Sequence, residues 1–193
     1  MISTFDIFSC KHKNKIKGIW TEKNGIARQI AEMIPECKIY CEPFAGTAKV
    51  YQELSKRVDA KYDTAVLNDT SKFVRKWLRA TFSDPIVTSV DFMQCVKNLD
   101  SKNTVFVFDQ PWNKSYYMQK FSSFNRESVE QYDLDVLLLC KTLKGKFIIT
   151  TRKENTRMLR SGFKHLLVES EYVVSGKYPK VLVTTNIKGI GAK

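Results

Sequence analysis

The sequence predicts an α/β protein built on a mostly parallel sheet. Short apolar runs rich in β-branched and aromatic residues alternate with segments of helical periodicity, which is the pattern of a parallel sheet. Two further apolar runs near the C-terminus are separated only by the short loop 175–179 and predict a final antiparallel hairpin. The chain has 193 residues, 43% of them hydrophobic and 27% charged, which suits one globular domain with a substantial core.

Helices are predicted where apolar residues recur at helical spacing. Ile26, Ile30 and Ile34 repeat every four residues, and Pro35 follows them as a helix terminator. Residues 71–82 form a second such segment, in which Phe73, Trp77 and Leu78 are expected to share one face. We predict helices over residues 24–34, from 49 onward, 71–82, 91–99 and 128–143, the last closed by Gly145.

The apolar runs between these helices predict the strands, and two segments are predicted to be irregular. We predict strands over residues 38–42, 65–68, 86–90, 104–108, 147–150, 166–174 and 180–185. Residues 1–17 are expected to form an N-terminal arm, and residues 18–193 a single domain. Residues 113–127 are expected to form a loop whose aromatic side chains either line a base pocket or pack as a hinge.

Four carboxylates follow the predicted strands at the same relative place. Glu42, Asp69, Asp91 and Asp109 each stand at or just after the end of an apolar run. Ligands of open α/β sheets bind at the carboxyl ends of the strands, where such side chains meet. The turn at 43–48 contains small residues and one glycine, so backbone can approach a ligand closely there. The sequence therefore predicts a ligand site at this edge.

The tetrapeptide Asp109-Gln110-Pro111-Trp112 has the groups needed to methylate a planar amine. The carboxylate of Asp109 and the carbonyl of Gln110 can each accept one N–H of an exocyclic amine, which localises its lone pair toward an incoming methyl group. Trp112 can stack on the flat base. A strand followed by a proline turn is the alternative interpretation of the same residues.

The order of these segments resembles the D12 class of DNA adenine N6-methyltransferases, the Dam type. Residues 42–48, Glu-Pro-Phe-Ala-Gly-Thr-Ala, resemble the family's E-P-F-x-G-x-G segment, and Asp109-Gln110-Pro111-Trp112 resembles its D-P-P-Y. Asn68-Asp69 and Asp91-Phe92 match its N-D and D-F. Residues 18–23 are similar to a degraded W-x-G-G-K segment, and residues 181–186 to its terminal strand. The resemblance covers nearly the whole chain in the right order.

The resemblance implies a Rossmann-like, S-adenosylmethionine-dependent methyltransferase fold with a seven-stranded, mostly parallel sheet. It implies methylation of adenine N6 in nucleic acid, with DNA favoured over RNA. The residues it assigns to the target amine are Asp109, Gln110, Pro111 and Trp112. Those it assigns to the S-adenosylmethionine cofactor are Trp20, Lys23, Glu42, Pro43, Phe44, Gly46, Thr47, Asp69, Asp91, Phe92 and Asp109.

The sequence departs from the family pattern in three places. Ala48 replaces the second glycine of the cofactor segment, and Gln110 replaces the first proline of D-P-P-Y, which removes one stiffening ring. Only residues 70–90 separate Asp69 from Asp91, where the family usually inserts a target-recognition domain. We therefore expect little intrinsic sequence selectivity, unless a separate specificity subunit supplies it.

Positive charge is concentrated in two segments of a chain whose net charge is +12. The first alternates along the N-terminal arm, and the second is expected to continue along one helical face. These clusters predict a phosphate-binding surface, and a solvated basic face is the alternative. The nucleic-acid-binding candidates are Lys11, Lys13, Lys15, Lys17, Arg152, Lys153, Arg157, Arg160 and Lys164.

Other classes of function receive little support from the sequence. The five cysteines include no C-x-x-C pair and lie far from both histidines, so no metal site is predicted. Cys41 and Cys140 lie in apolar runs and are expected to be buried, reduced thiols. The longest apolar stretch, 136–140, is too short to span a bilayer, and the N-terminus lacks a basic n-region. An intracellular soluble protein is expected.

Two alternative functions remain open. One is a catalytically silent protein that keeps the fold and the basic surface, as Ala48, Gln110 and the missing recognition domain suggest. The other is an N5-glutamine methyltransferase acting on protein, which uses a tetrapeptide that normally begins with Asn. Asp109 and the positive charge argue against the second alternative.

Overall fold

The predicted α/β architecture is confirmed. A computed structural model describes residues 25–111, 126–169 and 180–190, with side chains from residue 130 onward in the second range. The seven strands form one sheet in the order β3-β2-β1-β4-β5-β7-β6. The strands are β1 Ile39–Glu42, β2 Thr64–Asn68, β3 Ile86–Thr88, β4 Thr104–Phe108, β5 Lys146–Arg152, β6 Lys164–Glu169 and β7 Lys180–Thr185. The helices are α1 Ile26–Glu32, α2 Lys49–Leu54, α3 Lys72–Thr81, α4 Phe92–Leu99, α5 Arg126–Cys140 and α6 Thr156–Leu159.

The first five strands are parallel, and β7 is the strand that runs in the opposite direction within the sheet. β1 pairs with β2 and β4, β2 with β3, and β4 with β5, all in parallel. β7 lies between β5 and β6 and is antiparallel to both. The expected C-terminal antiparallel hairpin is therefore confirmed. Its predicted first strand, 166–174, begins two residues earlier at Lys164, and residues 170–179 lie outside the described ranges.

The two faces of the sheet carry separate apolar clusters. One face packs against α1, α2 and α3, through residues such as Ile30, Leu54 and Leu78. The other packs against α4, α5 and α6, through Val96, Val136 and Met158. β4 is buried along its whole length, because helices cover both faces at the centre of a parallel sheet.

The predicted face of α3 is wrong in one residue. Leu78 is fully buried and Trp77 packs against the core, but Phe73 is 43% exposed. Phe73 precedes Leu78 by five residues, which is about 140° around a helix, so the two cannot share a narrow face. The helix itself is confirmed, with Ser71 as its N-cap.

The interval between Asp69 and Asp91 belongs to the core of the domain. It contains α3 and the edge strand β3, and α3 is tied to β3 by the Arg79 guanidinium, which donates to the carbonyl of Val87 at 3.1 Å. A separate recognition module therefore does not lie in this interval.

Candidate active site

The candidate site lies at the carboxyl edge of the sheet, beside its topological switch point. In the sheet, β2 lies on one side of β1 and β4 lies on the other side of β1. Ligand crevices of open α/β sheets form where two neighbouring strands lead in opposite directions. Glu42 ends β1 and Asp109 follows β4, so the cofactor turn and the tetrapeptide flank this point.

The turn after β1 has an open backbone. Gly46 has a φ of 50°, and no atom outside its neighbours lies within 4 Å of the position that a Cβ would occupy. Its amide N–H donates to the Oδ2 atom of Asp69 at 3.0 Å. The turn therefore leaves room for a ligand against the Gly46 backbone while a neighbouring strand end holds it in place.

Ala48, at the position of the family's second glycine, has a left-handed backbone conformation. It has φ 48° and ψ 47° and is the N-cap residue of α2, a left-handed conformation that costs about 1–2 kcal/mol for a residue with a Cβ. Ala48 is buried. The alanine at the position of the family's second glycine therefore introduces strain in the turn.

The side chain of Glu42 is buried and bonds to the first turn of α2, the helix that follows the 43–48 turn. It is 4% exposed, and its Oε1 atom accepts from the hydroxyl of Tyr40 at 2.6 Å and from the amide of Tyr51 at 2.8 Å. Burial raises the pKa of Glu42 from 4.5 to about 8, against the lowering effect of these two hydrogen bonds, and Asp109 adds to the rise. Because both bonds end on Oε1, Oε2 is the atom that can carry the proton. Glu42 therefore connects β1 to the first turn of α2.

Asp69 fixes the turn and α3 to each other. Its Oδ2 atom accepts from Gly46, and its Oδ1 atom accepts from the amide of Ser71 at 2.8 Å. Burial raises its pKa, while the two amides and Arg75 oppose the rise. Each carboxylate oxygen has a second lone pair, so Asp69 can still accept a hydrogen bond from a ribose hydroxyl.

Asn68 is an organising residue that sequence reasoning passed over. It is 1% exposed, and its Nδ2 atom donates to the carbonyls of Pro43 and Val90, both at 3.0 Å. Its Oδ1 atom accepts from the Thr88 hydroxyl at 2.8 Å and from the Val90 amide at 3.1 Å. One side chain thus holds together the ends of β1, β2 and β3. The available sequence signals were its place at the end of an apolar run and its match to the N-D pattern.

Asp91 and Phe92 begin α4 beside the turn. Asp91 is exposed and caps the helix, its Oδ1 atom accepting from the Met93 amide at 2.9 Å. Phe92 is 6% exposed and lies 4.8 Å from the ring of Phe44 and 5.9 Å from that of Tyr132, centroid to centroid. The accessible aromatic surface at this corner therefore belongs to the half-buried Phe44 and Tyr132.

Asp109 follows the central strand β4 and is held by the next strand. Its Oδ1 atom accepts from the hydroxyl of Thr150 at 2.6 Å. The adjoining Gln110 is 1% exposed, and its Nε2 atom donates to the Oδ1 atom of Asp133 on α5 at 3.0 Å. Pro111 is half-buried. Trp112 lies outside the described residues, as do Trp20 and Lys23, so the stacking ring and the N-terminal cofactor contacts stay predictions.

The second basic cluster is not one helical face. Only Thr156–Leu159 is helical, Lys153 lies in the preceding turn 3.6 Å from Glu154, and Lys164 begins β6. Asn155 caps the helix, and Gly162 has a φ of 82°, so the segment is a turn, a short helix and a second turn. The spacing of the charges predicted a longer helix, but charge spacing contains no information about burial. In α6 the buried residue is Met158. Lys11, Lys13, Lys15 and Lys17 lie outside the described ranges.

Helix α3 provides a cationic surface that sequence reasoning did not include. Lys72, Lys76 and Arg79 are exposed, Arg75 is half-buried, and the helix contains no acidic residue. Over the part of the chain that the structure describes, none of these four forms an ion pair, whereas Lys56, Arg57 and Lys61 all do. Four cations in ten residues without a carboxylate were the available signal.

Two of the cysteines confirm the burial that the sequence predicts. Cys41 and Cys140 are buried free thiols, as predicted, and the Sγ atoms of Cys41 and Cys95 are 3.8 Å apart. Among the described residues, no group of three or more histidine, cysteine or acidic side chains is arranged to hold a metal. None of the described helices has both the length and the apolar character needed to cross a membrane.

Sheet order, switch point and glycine turn together define a Rossmann-like methyltransferase fold. Solved structures that share it include the protein designated PH0851 (TM-score 0.58, 13% identity, covering 95% of this chain and 49% of that one). TrmN from Thermus thermophilus matches with a TM-score of 0.54 and 15% identity over 83% of this chain and 47% of that one. An rRNA methylase from Streptococcus thermophilus matches with a TM-score of 0.52 and 10% identity over 83% of this chain and 93% of that one. At such identities the likeness shows the fold alone.

A family match identifies the chain more specifically than the fold does. The family model of the D12 class N6 adenine-specific DNA methyltransferases matches residues 22–169, and the chain belongs to this family. A search of curated proteins found no match to the sequence. The chain spans about half the length of PH0851 and of TrmN, and nearly all of the rRNA methylase.

Proposed function

We propose that this protein transfers the methyl group of S-adenosylmethionine to the N6 amine of adenine in nucleic acid, with DNA favoured over RNA. The observation that carries the proposal is the placement of Asp109 at the end of β4, across the switch point from the Gly46 turn. In a member of the D12 class, this placement supports a site in which Asp109 accepts from the target amine and the Gly46 turn holds the cofactor.

The residues at the edge fit the cofactor. Gly46 leaves open space against its backbone, Asp69 retains acceptor capacity for ribose hydroxyls, and Asp91 stands exposed beside the rings of Phe44 and Tyr132. When bound, the cofactor supplies an electrophilic methyl group on a positively charged sulfur. Nearby carboxylates favour such a charge.

The residues after β4 would prepare the target amine. Thr150 orients the Asp109 carboxylate, which would accept one N–H, and the carbonyl of Gln110 would accept the other. The nitrogen lone pair is then directed at the methyl carbon; the new N–C bond forms as the S–C bond breaks, and the amine loses one proton to Asp109 or to solvent. In duplex DNA the base must first leave the stack, at a cost of a few kcal/mol.

Positive charge on both faces of the domain supports a nucleic-acid partner. Arg152, Arg157 and Arg160 lie on the side of α5 and α6, and the cations of α3 lie on the opposite face. Phosphate contacts of this kind give affinity without base selectivity, so we propose that sequence selectivity is weak unless a specificity subunit supplies it.

A methyl-transfer assay tests the proposal directly. The protein is incubated with isotope-labelled S-adenosylmethionine and duplex DNA, single-stranded DNA or RNA, and the nucleosides are then separated. Label in N6-methyladenosine or its deoxy form is expected, and none with Asp109→Ala. Asp135→Asn, on a helix residue bonded only to Gln131 among the described contacts, is the matched control and should retain activity.

A second candidate function is nucleic-acid binding without catalysis. The strained backbone of Ala48 and the replacement of a proline by Gln110 favour it. That candidate predicts nucleic-acid binding with no label transferred to any of the three substrates. Label transferred to a glutamine-containing peptide, and not to nucleic acid, would instead support the N5-glutamine methyltransferase.

A further inference from the structure

A buried chain of amide and carboxylate groups joins the tetrapeptide to the helices beneath it. The Nε2 atom of Gln110 donates to Oδ1 of Asp133 at 3.0 Å, and the Nδ2 atom of Asn155 donates to Oδ2 of the same carboxylate at 2.9 Å. Asn155 in turn accepts from the amide of Met158 as the cap of α6. Gln110 and Asp133 are 1% and 7% exposed. Three separate elements therefore meet at one carboxylate.

This arrangement is costly as a purely structural feature. Asp133 forms no ion pair in the described part of the chain, and its hydrogen-bond donors are neutral amides. Burial raises the pKa of Asp133, while these two hydrogen bonds and the charges of Arg152 and Arg157 oppose the rise only in part. The Oε1 atom of Gln110 is buried and has no hydrogen-bond partner among the described residues. An unsatisfied buried acceptor typically costs about 1–3 kcal/mol, and apolar side chains of similar volume often stabilise such a position better. An unsatisfied group of this kind calls for a specific explanation.

The position of Gln110 in the tetrapeptide supplies that explanation. In the D-P-P-Y pattern a proline ring fixes the backbone of this residue, whose carbonyl faces the target amine under the proposed function. Gln110 has no ring, so its φ is not fixed covalently. Its side chain is fixed instead, because Asp133 accepts only from the Nε2 end of the amide and thereby sets its orientation.

We propose that Asp133 is a positioning residue that acts through the side chain of Gln110 to hold the Gln110 carbonyl for the target amine, replacing the lost proline ring by a hydrogen-bonded anchor. This inference rests on the proposed methyl transfer. Asn155 supports the anchor by holding the second oxygen of Asp133. A misplacement of about 1 Å at a reacting group can lower a rate by about a hundredfold, so an anchor of this kind is sufficient to affect turnover.

A double-mutant cycle tests the anchor. Asp133→Leu in the natural background should lower kcat by about tenfold to a hundredfold, leave the dissociation constant of S-adenosylmethionine unchanged, and retain the fold by circular dichroism. In a Gln110→Pro background the ring again fixes the backbone, so the same Asp133→Leu change should alter kcat by less than about twofold. All rates are measured well below each variant's unfolding temperature, and Asp135→Leu on the same helix is the control.

The outcomes separate this inference from the proposed function. If Asp133→Leu lowers kcat equally in both backgrounds, or not at all, the positioning role is refuted while methyl transfer stands. If the natural protein transfers no methyl group, the proposed function fails, and amide hydrogen exchange then tests the anchor. Asp133→Leu should speed exchange across 107–109 in the natural background and much less in Gln110→Pro. If Asp133→Leu speeds exchange equally in the two backgrounds, the anchor is refuted.

Discussion

Glu42→Gln should remove a strong pH dependence of stability. The folded protein holds the proton of Glu42 up to about pH 8, whereas an unperturbed carboxyl releases it near pH 4.5. Below pH 4.5 both states are protonated, and no penalty exists. As pH rises from 4.5 to 8, the unfolded state ionises and the folded state does not, so the free energy of unfolding falls.

The magnitude follows from the width of that interval. Each pH unit between the two pKa values is equivalent to about 1.4 kcal/mol, so the interval from 4.5 to about 8 is worth about 5 kcal/mol. At pH 7 the penalty is about 3 kcal/mol by the same conversion. Glutamine is neutral at every pH, and its Oε1 atom can still accept from Tyr40 and Tyr51.

Urea unfolding at a series of pH values from 5 to 9 measures the effect. The stability of Glu42→Gln relative to the natural protein should increase by several kcal/mol between pH 5 and pH 8 and then level off. Glu36→Gln, which changes a side chain that is 73% exposed, is the control and should track the natural protein. A difference between the natural protein and Glu42→Gln that stays constant from pH 5 to pH 9 would refute the buried, protonated Glu42.

Four further predictions concern the site and the fold. Asp109→Ala should lower methyl transfer by about a hundredfold or more while calorimetry shows cofactor binding nearly unchanged; near-normal turnover would contradict its role. Asp91→Asn should weaken cofactor binding without loss of stability, whereas Asp91→Ala should also lose about 1 kcal/mol because the cap of α4 is removed; equal cofactor affinity in Asp91→Asn and the natural protein would count against this assignment. Nucleic-acid affinity should fall steeply with salt for unrelated sequences, and Lys72→Gln with Lys76→Gln should reduce the slope of log affinity against log salt by up to about 2; an unchanged slope would exclude α3 from the interface. Gly145→Ala should destabilise the fold by about 1–3 kcal/mol because its Cβ would lie 2.9 Å from the Thr104 carbonyl, and an unaltered urea midpoint would show that the loop can relax.

Within the described residues, the sequence by itself determined most of the elements and the edge of the sheet at which the candidate site lies. Alternation of apolar runs with helical periodicity requires that strands and helices bury complementary surfaces, which leaves a mostly parallel sheet as the solution. The resemblance of residues 42–48 and 109–112 to the D12 patterns predicted the family that the match over 22–169 shows. These features are local or ordered along the chain, so a linear sequence contains them.

Only the tertiary structure decided what each strand-end side chain contacts. Glu42, predicted at the cofactor, lies under the turn with Tyr40, and Asn68 joins three strand ends. Gln110, chosen for its carbonyl, is anchored through its side chain to a carboxylate 23 residues away. The cations 152–164 divide among two strands, two turns and a short helix, because burial of Met158 and pairing with β7 outweigh charge spacing. Hydrogen-bond partners and burial depend on which distant segments pack together, and neither periodicity nor motif spacing specifies that.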